Sequence, residues 1–522
     1  MLHKIFRREN FSLKNCGYLL FFIYFVFHVL TLTRFPFMHS DESWLSGLSR
    51  NILDTGSYAS TEAFFDLKTR YPHAIKILFH SLQVLFIRFF GYSLFNMRFI
   101  SLIFGMLALF HFHKLSKKVL SSTTLAWMTT VLFAVDIQFI YASHFARQEI
   151  ILLWILIYSL YFFLSGIKNP TFSRDILLGS IIGLSIGIHP NSFIISLPIG
   201  CIYLFHIYGT SKLTIKNLML YGSTVALFAL GFILLSKSFD PHFIQHYLSY
   251  GQSEFEVLSP ITSKIKQVKF FYLKLFYGIS GTYYTPNIKF QFILFLVSVI
   301  LVILKLFAAK NHADRQSITA VILSIIGINI GIILIGRYNQ TSIIFIFPLF
   351  YVLIGSLLGS LPKPYKNIVF GFLLVFLVAN TGIQMQPYLD NHYQRYLQGI
   401  EKGVDKDKEV LANLNTEYYF NNGKLHDYRN LAFLRDHGMS FSEYIHINNI
   451  EYIVYPEEMD FIYRSRPIWN GIYGNLLYYE DMQAFLNEHC ELVHEFQAPI
   501  YGMRIVRYVD DKPWKIKIYK VY

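Results

Sequence analysis

Apolar runs of nearly twenty residues recur along roughly the first three quarters of this 522-residue chain, and they constrain its fold more than any other feature. A helix needs about twenty such residues to cross the ~30 Å hydrocarbon layer of a bilayer. Within that layer backbone polar groups must bond inside their own segment, which a helix achieves. Only 15% of the residues are charged, against about 25% in soluble domains. The expected fold class is therefore a polytopic α-helical membrane protein with length to spare for one soluble domain.

About eleven spans are expected, near 16–33, 92–112, 120–137, 149–166, 175–189, 191–208, 217–236, 288–307, 318–335, 342–360 and 367–385. Lys4, Arg7, Arg8 and Lys14 precede the first, with no small-residue cleavage pattern after it, so it reads as a retained helix entering from the cytoplasm. The apolar stretch Ala74 to Gly91 is interrupted by His80, Gln83 and Arg88. It reads as a helix lying in the outer interface rather than a span. On that parity Lys114, Lys117 and Lys118, Lys168 with Arg174, Lys212 with Lys216, Lys310 with Arg315, and Lys363 with Lys366 fall inside. The net charge of +13 is thus the footprint of membrane orientation, and nucleic acid is not expected as a partner.

The outer face then receives the loop 34–91, the turn near 144–148, the long loop 238–288 and the chain after the last span. Residues 1–385 are expected to form the transmembrane domain and residues 386–522 an extracytoplasmic soluble domain. In the latter, Glu451–Tyr455, Glu491–Phe496 and Trp514–Tyr519 carry strand patterns. A helix over Asp481–Cys490 completes a small α/β fold. The three cysteines, Cys16, Cys201 and Cys490, are scattered and give neither a disulfide framework nor zinc spacing. There is no glycine-rich phosphate loop, no Rossmann fingerprint and no internal repeat, so soluble nucleotide chemistry is unsupported.

Candidate chemistry gathers on the outer side. Asp41 and Glu42 follow the first span inside Phe35-Pro-Phe-Met-His-Ser-Asp-Glu-Ser-Trp44. Read as extended or turn, they send their carboxylates apart, so that one can take a proton while the other orients it. Tyr141-Ala-Ser-His144-Phe-Ala-Arg147-Gln148-Glu149 lies at the lip of another span. Ionisable groups there either pair with each other or serve a site, and both uses remain open for Arg147 with Glu149 or Asp41. His189-Pro190-Asn191 suits a tight outer turn in which the histidine lines a cavity or caps a helix. In Gly336-Arg337-Tyr338-Asn339-Gln340-Thr341, Arg337 offers a planar fork for phosphate oxygens; a snorkelling helix-end arginine is the plainer alternative. Tyrosines crowd the loop 238–288, as in an interfacial lid or sugar platform. His242 and His246 there lack an evident third ligand, so no metal site is assigned.

In the order of these segments the chain resembles the GT-C class of integral-membrane glycosyltransferases, which includes protein O-mannosyltransferases and aminoarabinose lipid A transferases. The elements carrying the likeness are Asp41-Glu42, Tyr71-Pro72-His73 through Phe90-Gly91, Met97-Arg98-Phe-Ile-Ser-Leu, Ala146-Arg147-Gln148-Glu149, His189-Pro190-Asn191 and Arg337-Tyr338. The resemblance implies a polyprenyl-phosphate sugar as donor and inverting attack by a hydroxyl of a lipid, glycan or protein. It implies Asp41 as general base, Glu42 orienting the acceptor or base, and Glu149 as a second acid near the acceptor. Arg147 and Arg337 would hold the lipid phosphate, with Tyr338, His189 and His144 beside them. The expected location is the bacterial inner (plasma) membrane. Relatives differ in metal use, so a divalent metal is left open. Many carry aspartate where Glu149 stands, and some carry Lys-Gly-Pro where this chain has His189-Pro190-Asn191, which weakens any transfer of substrate identity. The rival reading is a transporter or flippase of a lipid-linked or small polar substrate. Transporters place ionisable groups near the midplane, often in repeated halves.

Overall fold

The structure is a computed structural model describing residues 13–209, 212–255, 257–279, 282–308, 312–336, 338–390, 392–473, 476–498, 500 and 514–522. The helices run α1 (Leu13–Thr31), α2 (Ser40–Thr55), α3 (Ile77–Phe90), α4 (Leu94–Leu120), α5 (Thr123–Ala134) and α6 (Ile137–His144). They continue with α7 (Glu149–Gly166), α8 (Phe172–Leu184), α9 (Ser192–Gly209), α10 (Ile215–Phe239), α11 (Phe243–Phe255) and α12 (Ile261–Tyr277). After these come α13 (Lys289–Ala308), α14 (His312–Ile335), α15 (Phe347–Ser360), α16 (Lys363–Leu389) and α17 (Tyr393–Glu401).

Among the described residues eight helices are long and apolar enough to cross a membrane, or nine when the bent pair α5 and α6 counts as one. About eleven were expected. α1 is not counted, since its apolar part within the described residues is Phe21–Thr31; the other differences have local causes. The α8 helix gives way to a 3-10 turn at Ser185–Gly187. The stretch expected as one span over 120–137 is bent by 65° between α5 and α6. At that break Asp136 caps α6, its Oδ1 accepting from the Gln138 N–H at 2.8 Å. The bend carries Tyr141 and His144, expected on an outer turn, into the interior.

Two glycines fix a close helix contact. Gly327 and Gly331 of α14 face Pro198 and Ile194 of α9, so a methyl on Gly331 would lie 2.7 Å from the Ile194 Cα. Backbone cannot yield as a side chain can, and small residues four apart are what permit such approach. Gly331→Ala is expected to lower stability by about 1–3 kcal/mol, seen as a lower melting temperature in detergent. An unchanged melting temperature would refute this packing.

Helices α2 and α3 lie beside the bundle. Their contact is polar at its centre: the Ser49 hydroxyl hydrogen-bonds His80 Nδ1 (2.8 Å) and Gln83 Oε1 (2.7 Å). Two of the interruptions in the apolar pattern of 74–91, His80 and Gln83, thus join α3 to α2. At 14 residues α3 is too short to span.

The chain after α17 builds a mixed five-stranded sheet from β1 (Val410–Ala412), β2 (Leu425–Asp427), β3 (Tyr452–Pro456), β4 (Cys490–Ala498) and β5 (Trp514–Val521), ordered β2-β1-β3-β5-β4. Strands β1, β2 and β3 pair in parallel, whereas β5 runs antiparallel to both β3 and β4. Side chains alternate between two cores, as a period of two requires. Val410, Ala412, Val454, Ile516 and Ile518 join the core continuous with the helices. Leu411, Ile453 and Tyr455 face the other way, beneath α18 (Phe441–Ile447), α19 (Glu458–Ser465) and α20 (Tyr479–His489). Three strands and the helix before β4 match the sequence patterns. The short β1 and β2 have too few residues to show one.

Candidate active site

The site begins at the first turn of α2, where the expected loop is helical. The His39 side chain accepts from the Asp41 N–H (3.0 Å) and Glu42 returns the favour to the His39 N–H (3.0 Å), forming a reciprocal cap. Consecutive helical residues point about 100° apart, following the 3.6-residue turn. The two acids therefore part company.

Glu42 turns inward. Its carboxylate takes a two-pronged bond from Arg98, Nε to Oε1 at 2.7 Å and Nη2 to Oε2 at 2.8 Å, and a third from the Ala146 N–H at 3.0 Å. Both side chains are 0% exposed. Arg98 Nη1 donates to the carbonyls of Leu32 and Pro36, each at 2.9 Å. Glu42 thus fastens α2 to α4, to the end of α1 and to the α6–α7 connection. Its oxygens meet protein donors on every side, which leaves no edge for an acceptor.

Asp41 turns outward and keeps a 24% exposed side chain. Its Oδ2 accepts from Arg147 Nη1 at 3.0 Å and from the Tyr283 hydroxyl at 2.5 Å. Burial alone would raise this carboxyl. The neighbouring His39, the charge of Arg147, the Tyr283 hydrogen bond and the charge of Arg429 outweigh it and hold Asp41 well below the usual carboxylate range. Tyr283→Phe is expected to move the acidic limb of any Asp41-dependent activity to higher pH, because the lost bond favoured the ionised form. A pH profile identical to wild type would contradict that.

Arg147 also reaches Glu149, Nη2 to Oε1 at 3.1 Å, and the Thr341 hydroxyl donates to the same oxygen at 2.7 Å. Glu149 opens α7, where a carboxylate complements the helix dipole. Behind this row lies a small cavity lined by Gln138, Tyr141, Phe145, Arg147, Glu149 and Thr341. Four buried polar atoms around it have no hydrogen-bond partner: Gln138 Oε1, Tyr141 OH, Arg147 Nε and Glu149 Oε2. Such atoms are rare in folded proteins. Gathered here, they make the cavity, which has room for about one water-sized group, suited to a single hydroxyl.

The remaining expected residues are placed as follows. His144 Nδ1 bonds the Phe35 carbonyl at 2.8 Å, so that nitrogen carries hydrogen, and Nε2 meets His28 Nδ1 at 2.7 Å. Beside phosphate-binding groups was the expectation; the bend before α6 instead buries His144 between α1 and the 35–39 loop. His189 Nδ1 accepts from the Asn191 N–H (3.0 Å) and so closes its own turn, while Asn191 reaches the Ser342 hydroxyl at 3.2 Å, next to Thr341. Tyr338 donates to the Lys264 carbonyl at 2.6 Å and holds α12. Arg337 lies outside the described residues. Arg98 carries no visible role in the sequence; an arginine inside an apolar run is the one signal it gives. Tyr283 and Thr341 had no distinguishing signal, since their roles depend on distant segments. Among the described residues no three His, Cys, Asp or Glu side chains gather to hold a metal.

The architecture is that of the GT-C membrane glycosyltransferases. ArnT from Cupriavidus metallidurans in the apo state superposes with a TM-score of 0.56 at 11% identity, covering 97% of this chain and 98% of that one. The same enzyme bound to undecaprenyl phosphate gives 0.52 at 11% identity, covering 84% and 96%. The oligosaccharyltransferase of Archaeoglobus fulgidus in the apo form gives 0.54 at 13% identity, covering 88% and 72%. Within the sequence, residues 75–235 match the family described as dolichyl-phosphate-mannose-protein mannosyltransferase. No curated protein matches the chain. Together these likenesses show a multi-pass helical membrane protein with the fold of the GT-C glycosyltransferases.

Proposed function

We propose that the chain transfers a sugar from a polyprenyl-phosphate donor to a hydroxyl of a lipid, glycan or protein at the outer membrane face, with inversion. The observation that carries this reading is Asp41, a partly exposed carboxylate held ionised by Arg147 and Tyr283 beside a cavity of unpartnered polar atoms. The acceptor oxygen gives its proton to Asp41 and bonds the anomeric carbon. The bond from that carbon to the phosphate oxygen breaks, and its electrons leave on polyprenyl phosphate. That leaving group is already an anion, so it calls for cations more than for a protonating acid.

In this assignment Arg147 has two tasks, keeping Asp41 deprotonated and meeting developing phosphate charge, while Glu149 faces the acceptor side of the cavity. Glu42 moves from the expected orienting role to a positioning one through Arg98 and His39. The similar ArnT structure with undecaprenyl phosphate supports the class of donor. The similar archaeal oligosaccharyltransferase was also solved tethered to an acceptor peptide, a peptide being one of the acceptor kinds considered. Which sugar moves, hexose or pentose, is decided by pocket contacts that a panel of donors would expose. Transfer of labelled sugar from such a panel by purified protein, compared between wild type and Asp41→Asn, tests the reading. Failure to bind or turn over any donor would favour the transporter alternative.

A further inference from the structure

The row Asp41, Arg147 and Glu149 sets two carboxylates against one guanidinium, which leaves one negative charge where an anionic leaving group must be stabilised. Positive charge lies one turn further along α2. Trp44, three residues after Asp41, carries three cations around its indole: Arg429 at 4.5 Å from the ring centroid, and Lys68 and Arg70 at 5.1 Å each. Glu62 accepts from the Trp44 Nε1–H (2.5 Å) and from Arg70 Nε and Nη2 (3.1 Å each). Burial would raise the Glu62 carboxyl, but Arg70 and these bonds bring it down to about 2, so it counts as an anion. Even with Glu62 and Asp427 charged, the three cations leave a positive excess.

Arg429 does not belong to the helical part of the chain. It follows β2, where its Nε bonds Asp427 Oδ1 at 2.6 Å. The segment is laced to the first outer loop: the Asp427 N–H donates to the Phe64 carbonyl (3.2 Å), Asn430 Nδ2 to the same carbonyl (2.9 Å), and the Lys68 N–H to Asn430 Oδ1 (3.2 Å). Arg429 is 7% exposed and its Nη2 is buried without an acceptor. A buried guanidinium with an unused donor, close enough to help depress Asp41, is the second sign of a ligand.

Resting on the function proposed above, we infer that the C-terminal sheet domain completes the active site: Arg429, with Lys68 and Arg70 around Trp44, grips a phosphate group of the substrate. The soluble segment then positions substrate as well as covering the helices. Arginine suits this because its planar fork meets two phosphate oxygens at once.

The test uses the full-length protein in detergent and the indole beneath the cations as reporter. Tryptophan fluorescence is titrated with inorganic phosphate and, separately, with undecaprenyl phosphate, and Trp44→Phe identifies the Trp44 share of the signal. Saturable binding is expected in wild type, at least tenfold weaker in Arg429→Gln, which keeps a donor for Asp427, and intermediate between the two in Arg429→Lys, which keeps the charge but loses the fork. A response to the lipid alone would identify the donor's phosphate, and a response to both a general phosphate site. Binding by Arg429→Gln equal to wild type, or no Trp44 response to either probe, would overturn the inference. If Arg429→Gln does not fold, Lys68→Gln gives the same reading, with several-fold weaker binding expected and unchanged binding counting against it. In the transfer assay the two proposals separate. Activity lost in Asp41→Asn but with an unaltered donor KM in Arg429→Gln defeats this inference alone, whereas absent turnover with intact phosphate binding defeats only the functional reading.

Discussion

Asp41→Asn is expected to lose sugar transfer by about 10²- to 10⁴-fold, the range for removing a positioned general base, while the protein stays folded. The side chain is nearly isosteric, and its oxygen still accepts from Tyr283 and Arg147. The reciprocal cap of α2 uses the backbone N–H of Asp41 and the side chains of His39 and Glu42, so the helix start survives. What vanishes is a group able to receive the acceptor's proton. The pH dependence follows from the same contacts. A carboxyl held below its usual range stays ionised through neutral and mildly acidic pH, so kcat/KM is expected to be flat there on account of Asp41 and to fall only in stronger acid. Labelled-sugar transfer by both proteins across pH is the measurement. Turnover unaffected by the substitution would remove Asp41 from the chemistry, and transport, which can tolerate Asn, would gain.

Breaking the Glu42–Arg98 pair is expected to cost about 3–5 kcal/mol, the scale for leaving one member of a buried ion pair uncompensated. Arg98→Met would strand a carboxylate that is 0% exposed and release the carbonyls of Leu32 and Pro36. Glu42→Gln would strand the guanidinium. The double substitution is expected to be less damaging than the sum of the two, because no lone charge remains. Thermal unfolding of the four proteins in detergent closes the cycle. Additive losses would mean that the two groups do not act as a pair. This result would also separate the adjacent acids by function, since Glu42 should cost stability and Asp41 should cost rate.

Much of the architecture was legible because it depends on local quantities. Apolar runs of spanning length announce helices, and interruption by His80, Gln83 and Arg88 marked the stretch that became the short α3. The apolar, β-branched run in 451–455 and the alternation in 514–519 announced strands, the first buried on both faces and the second mainly on one. The acids and arginines were visible as charges whose cost near lipid demands a use. What failed was local too: the span over 120–137 hides the 65° bend, since Asp136 reads in sequence as an ordinary polar end.

The site is different in kind. From sequence alone Asp41, Arg147 and Glu149 were expected at one end of the spans, because apolar length and charge restrict where each can lie. Only the tertiary structure decided that Glu42 pairs with Arg98, that His144 is buried against Phe35, that Tyr283 reaches Asp41 across 242 positions and that Arg429 returns from the sheet to Trp44. These are pairings between segments remote in the chain. A propensity or hydrophobic period reports the neighbours along a helix or strand; which oxygen meets which guanidinium is fixed by how the packed helices and sheet bring their ends together.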